Sequence, residues 1–298
     1  MNTPIRSFLR WLLGPLPKVE RTDTTGSLTA LLFGVAFIAM WLDTKHGIRK
    51  PPGSENTWTF AVYGVFPLGV LVACLAPARS GARWVAAAAT VALCAVLGSR
   101  LVAPATWGKA LEDSPERFFG TVALLGAVVV AAGFAGGVAF KDWGLGFGDW
   151  RWWLPRFALV AVLMELMVIW AAWYDPEIRK YYPELKAART DFGELLRYQA
   201  WLGVYMFGWE AFFRGTFLNG MARRGDIVMA LFVPALPFFL LHWHKPEMEM
   251  LSSFIGSVGA GWFCLNARSF WPVFLMHWAM NFSMEATCFV WRQVEASS

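Results

Sequence analysis

The chain has 298 residues, of which 57% are apolar and only 16% charged, with a net charge of +5. Twenty-five Phe, 18 Trp and a mean hydropathy of +0.45 leave too little polar material to cover a water-soluble globule of this size, and disorder, collagen and coiled coil are excluded as well. The basic residues are scattered through short loops rather than gathered into a patch, so the charge reads as anchoring to membrane lipids, with no nucleic-acid partner.

The first 23 residues hold Arg6, Arg10, Lys18 and Arg21 around the short amphipathic piece Phe8 to Leu13, without a small-residue cleavage site after it. Residues 1–23 are therefore expected to form a cytoplasmic leader lying on the membrane surface. A spanning helix needs about 20 mostly apolar residues. Such runs read as Ser27 to Leu42, Thr59 to Pro77, Trp84 to Val102, Phe118 to Phe140 and Leu154 to Tyr174. After a charged stretch from Asp175 to Arg197 come Tyr198 to Leu218, Ile227 to His242, Leu251 to Ala267 and Phe270 to Val290. The expected fold is all-α: a polytopic helical membrane protein with eight or nine transmembrane helices, divided into the leader, N-terminal spans over 24–197 and a C-terminal set over 198–298. Trp and Tyr at many span ends, such as Trp41, Trp84, Trp173 and Trp271, suit the headgroup level. Lys and Arg divide almost evenly between the two sides. With the segment 175–197 discounted, the remainder favours an N-terminus inside.

The four cysteines, Cys74, Cys94, Cys264 and Cys288, lie in apolar runs and form no CxxC or Cys/His cluster, so they read as core fillers. The ionisable residues inside spans are harder to dismiss, because a charge at the bilayer centre costs about 2.5–3.5 kcal/mol on insertion scales. They are Glu165, Glu210, Arg214, His242 and His277, with Asn281 and Glu285 following on the last run. Residues four apart share a helix face, which pairs Glu210 with Arg214, Phe238 with His242 and His277 with Asn281. Three neighbouring helices would turn these stripes toward one cavity. A carboxylate and an imidazole there can remove a proton from water, while a second imidazole and an amide donate to the oxyanion of a tetrahedral intermediate. Each group also has a plainer reading. Glu210 and Arg214 can be a structural ion pair, His242 an interfacial histidine, His277 and Asn281 an interhelical hydrogen bond, and Glu165 and Glu285 core or paired acids.

The blocks WEAFFRG (209–215), FFLLH (238–242) and HWAMN (277–281) resemble the EExxxR, FxxxH and HxxxN/D motifs of the CAAX-protease and bacteriocin-processing family, which includes the type II prenyl-protein proteases. The resemblance covers roughly the C-terminal third. It implies an intramembrane endopeptidase acting on a membrane-anchored or lipidated peptide or protein. Glu210 with His242 would activate water, His277 and Asn281 would hold the oxyanion, and Arg214 would orient Glu210. One position departs from the pattern: Trp209 stands where the first glutamate of EExxxR belongs. Three readings follow from it: Glu210 takes over as base, another acid replaces it, or the protein no longer cleaves. Glu249 is the alternative acid, since HWHKPEME resembles H-x-x-K-P-x-x-E of a bacterial subgroup in which a Trp also precedes a single glutamate. Glu210, His242 and His277 are also the ligand types of a catalytic zinc site, although the HExxH helix is missing. Metal-free water activation fits the resemblance better, with zinc as the alternative. A silent membrane scaffold or immunity partner is the rival function, and a proton-coupled transporter finds no inverted repeat to support it. The expected location is a bacterial inner membrane.

Overall fold

The computed structural model describes residues 4–14, 104–135, 140–224, 227–242 and 245–297. The three apolar runs between Ser27 and Val102, the leader beyond Gly14, Cys74, Cys94 and His244 lie outside the described residues. Among the described residues every regular element is helical. In chain order these are α1 (Pro4–Leu13), α2 (Pro104–Asp113), α3 (Pro115–Ala135), α4 (Trp150–Tyr174), α5 (Pro176–Tyr181), α6 (Phe192–Glu210), α7 (Leu218–Arg224), α8 (Ile227–Leu240), α9 (Glu247–Ala267) and α10 (Trp271–Ser297). A π-helical turn, Ala211–Phe217, joins α6 to α7 without a break.

Local chemistry sets the helix ends. Asp149 accepts a hydrogen bond from the Trp152 amide to start α4, Asp175 accepts from Glu177 to start α5, and Asp191 accepts from Gly193 and Glu194 to start α6. Caps of this kind are worth about 1 kcal/mol each. Helix α9 stops at Arg268, whose φ of 53° turns the chain left-handed while its amide closes on the Cys264 carbonyl.

Two helices among the described residues, Trp150–Tyr174 and Glu247–Ala267, are long and apolar enough to cross a membrane. The first exposes Val162, Leu163, Leu166, Met167, Ile169 and Trp170, a surface suited to lipid rather than water. Among the long helices α3 packs on α6, α6 and α4 on α10, and α8 on α9. The α3–α6 crossing is close because small residues meet there. A Cβ built on Gly208 would stand 2.7 Å from the Ala123 Cα, and one on Gly126 2.9 Å from the Gly208 carbonyl oxygen.

Both ends of the bundle are tied. At one end Arg156 donates to the Trp11 carbonyl (2.6 Å) with its guanidinium between the Trp11 and Trp152 rings, and the Trp262 indole donates to the Leu13 carbonyl (2.7 Å). The same end joins Asp149 to the Ala267 carbonyl and the Trp271 indole to the Leu145 carbonyl. At the other end, residues 175–191 fold into a cap. Arg189 donates to the Pro183 and Tyr181 carbonyls, Arg292 donates to Tyr182, and Glu285 accepts from the Glu184 amide (3.1 Å). The sequence marks this stretch only as charged; its polar groups are largely consumed in holding the cap.

Candidate active site

Glu210 is the last residue of α6 before the π turn. The wider turn leaves backbone carbonyls without their usual helical donors, and polar side chains meet them: Thr216 donates to the Ala211 carbonyl, while Asn219 donates to those of Arg214 (2.9 Å) and Gly215 (3.0 Å). Within the turn, the Arg214 Nε lies 3.3 Å from the Glu210 Oε2, and both side chains are sealed from solvent. Arg214 also donates to the Ser257 hydroxyl of α9 (3.1 Å) and lies 5.0 Å from the Phe238 ring centre.

The other Glu210 oxygen, Oε1, stands 2.6 Å from Nδ1 of His277 on α10. An ionised carboxylate only accepts, so Nδ1 carries the proton and the lone pair of this imidazole sits on Nε2. His242, one turn past Phe238, reaches the same tautomer by another route: its Nδ1 lies 2.7 Å from the Phe238 carbonyl oxygen, also an acceptor only. The two imidazoles flank one aromatic ring, with Phe238 stacked on His242 at 4.8 Å and tilted against His277 at 5.7 Å. Asn281 donates back to the His277 carbonyl (2.8 Å).

His242, His277 and Asn281 line one cavity of about 40 Å³. It has room for ordered water but not for a peptide. Trp209 and Tyr205 of α6 form an aromatic wall, and Glu184 of the cap and Lys245 also line the cavity. The Trp209 ring packs on Phe213 (4.9 Å) and Tyr205 (5.4 Å), and its indole N–H has no hydrogen-bond partner among the described residues.

Thus α6 with its π turn, α8 and α10 gather Glu210, Arg214, His242, His277 and Asn281 as the spacing predicts. The pairing differs from the expectation in one respect: Glu210 bonds His277 rather than His242, because the His242 Nδ1 is already held by its own helix. Glu249 stands apart. It accepts from the Tyr182 hydroxyl (2.8 Å) and pairs with Lys245 (2.8 Å), whose ammonium also donates to that hydroxyl (2.6 Å). Burial and the neighbouring Glu249 push the Tyr182 phenol well above its ordinary pKa, so it stays a donor. Among the described residues neither Glu165 carboxyl oxygen finds a hydrogen-bond partner, and Glu285 serves the cap. For zinc, the donor set is incomplete. Both Glu210 oxygens face His277 and Arg214, and among the described residues no three His, Cys, Asp or Glu side chains gather around one point.

Sequence reading does not find the π turn, Ser257 or the roles of Tyr182 and Lys245. Lys245 and Glu249, four apart after the second span of the C-terminal set, are the signal that was there to find.

The site is thus a buried carboxylate bonded to an imidazole beside a water-sized cavity, on helices suited to lipid. Residues 195–283 match the family model described as type II CAAX prenyl endopeptidase Rce1-like, a stretch that contains all three motifs. Over this stretch the C-terminal helices are similar to that family. No curated protein and no solved structure matches the chain.

Proposed function

We propose that this protein is an intramembrane endopeptidase that hydrolyses a peptide bond in a membrane-anchored or lipidated substrate. The Glu210–His277 hydrogen bond carries this reading, because it places one imidazole of a shared cavity in the tautomer of a base. The Nε2 lone pairs of His277 and His242 accept the two O–H bonds of one water. His277, held by Glu210, takes a proton as the water oxygen adds to the substrate carbonyl carbon, and that proton passes to the leaving amine as the C–N bond breaks. Arg214 keeps Glu210 ionised and in place. The remaining Asn281 N–H and the unpartnered Trp209 indole N–H are the donors available for the oxyanion. The chemistry is metal-free, and chelation leaves turnover unchanged.

The fold is a nine-span bundle in a bacterial inner membrane. Six crossings come from α3, α4, α6 with α7, α8, α9 and α10. The α1 and α2 helices sit at opposite ends, which requires an odd number of crossings between them and favours the three apolar runs of the sequence.

The test compares membrane-protein termini in cells carrying the wild type or His277→Ala. New termini present only with the wild type support the reading; identical sets of termini remove it. One observation favours a second reading, a silent scaffold of the same family: Trp209 fills the cavity wall where the first motif glutamate belongs. Identical termini would favour it.

A further inference from the structure

Helix α9 carries none of the three motifs, yet it reaches the centre through Ser257. Of the three serines on this helix, Ser252 and Ser253 donate back to carbonyls of their own helix, those of Glu249 (3.0 Å) and Met250 (2.7 Å). Ser257 behaves differently. It is 1% exposed, and its hydroxyl oxygen accepts from Nη2 of Arg214 across the helix interface (3.1 Å).

That bond matters because the contact between Arg214 and Glu210 has no direction of its own. The Arg214 Nε stands 3.3 Å from Oε2, but among the described residues neither atom has a hydrogen-bond partner, so the two attract by charge without an aligned N–H. A guanidinium free to choose takes a carboxylate in a fork, with two parallel N–H bonds to its two oxygens. Side-on, that fork uses Nε and its neighbour Nη2. It would swing Oε1 toward Arg214, and Oε1 is the oxygen that stands 2.6 Å from Nδ1 of His277. Two contacts restrain the cation instead: Nη2 is tied to Ser257, and the guanidinium lies 5.0 Å from the Phe238 ring centre. The ring attracts the cation as a whole. Only the hydroxyl holds back a nitrogen that the fork needs.

We propose that Ser257 is a positioning residue: by tethering Nη2 from α9 it confines Arg214 to Oε2 of Glu210 and reserves Oε1 for His277. The hydroxyl touches neither cavity nor substrate and acts through two others, the guanidinium and then the carboxylate. Without it the fork closes, the Glu210–His277 bond weakens, and the proton of His277 divides between Nδ1 and Nε2. The imidazole then spends part of its time with no lone pair on the nitrogen that must accept from water. The effect on turnover rests on the proposed protease reading; the effect on the His277 tautomer does not.

The test labels the histidines of the full chain with ¹⁵N and reads their nitrogen resonances in lipid, those of His277 being the pair lost in His277→Ala. In the wild type the proton sits on Nδ1 of His277. In Ser257→Ala its two nitrogen resonances move toward each other while those of His242, held by the Phe238 carbonyl, stay where they are. An unchanged His277 in Ser257→Ala overturns the proposal, whether or not the protein cleaves anything. On a tethered peptide, Ser257→Ala lowers kcat roughly 10–100-fold, the usual cost of a small misplacement, with KM within about twofold of wild type. Ser257→Thr, which keeps the hydroxyl, recovers most of that loss, and Ser253→Ala, whose hydroxyl serves its own helix, matches wild type. Equal losses in the Ala and Thr variants assign the effect to packing and overturn the proposal. A wild type that cleaves nothing, with the tautomer shift still present in Ser257→Ala, removes the protease reading and leaves the positioning role standing.

Discussion

Two carboxylates in this molecule each pair with a cation four residues away and bond a third polar group, yet they suit different tasks. Glu210 and Arg214 are sealed, and their third member is an imidazole with a wall of the cavity to itself. Glu249 and Lys245 sit at the rim with Tyr182, a phenol whose raised pKa makes it a permanent donor. A carboxylate can pass basicity to an imidazole near neutral pH but not to a phenol held protonated. The comparison therefore teaches that the third partner, more than the ion pair, decides which cluster is equipped for acid–base chemistry and which one holds the cap.

The largest effect that would test this contrast is on catalysis. His277→Ala and Glu210→Gln are each expected to lower cleavage about 10²–10⁴-fold, the usual worth of a positioned acid or base, measured on a tethered peptide in reconstituted membranes; Glu249→Gln should stay within a few-fold of wild type. Equal losses at Glu210 and Glu249 would erase the distinction. Arg214→Gln is expected to destabilise the bundle by about 3–5 kcal/mol, the cost of leaving a buried carboxylate without its partner, read by unfolding in detergent. Lys245→Gln, in a pair that is less completely sealed, should cost less.

Tyr182→Phe is expected to cost about 1 kcal/mol and to change the alkaline limb of stability. The folded phenol has the higher pKa, so the stability it contributes is complete below the unfolded value near 10 and falls as pH rises above it. The Phe variant should lack this part of the decline between pH 10 and 11. The smallest expected effect is at Trp209. Trp209→Phe removes an N–H that bonds nothing among the described residues, so stability should change by less than about 1 kcal/mol, and a fall in turnover would report a substrate contact.

Much of the site was legible because lipid-suited helices carry few polar residues, and those few fall at i,i+4 spacing. Glu210, His242, His277 and Asn281 declare themselves by being out of place, and α6, α8 and α10 do bring them together. What was not legible depends on rotation and on long-range contact. The π turn over Ala211–Phe217 leaves no mark in an apolar pattern, and the choice of His277 over His242 as the partner of Glu210 turns on which backbone carbonyl reaches His242 first. The cap over 175–191 escaped for a different reason: bonds that tie it to the bundle come from side chains more than a hundred residues away, as from Arg292 to Tyr182 and from Glu285 to the Glu184 amide.

Gly203 has a consequence beyond its own turn of helix. A Cβ there would lie 2.8 Å from the Trp278 indole, and that indole donates to the Gln199 carbonyl one turn earlier. The bare backbone and the ring act together as a depth stop for α10. They fix how far the helix sinks toward α6, and hence whether the adjacent His277 arrives at bonding range of Glu210. Proton affinity in the cavity is thereby adjustable from an uncharged contact, and natural or designed variation in turnover can arise at Gly203 and Trp278 with every polar residue of the centre intact.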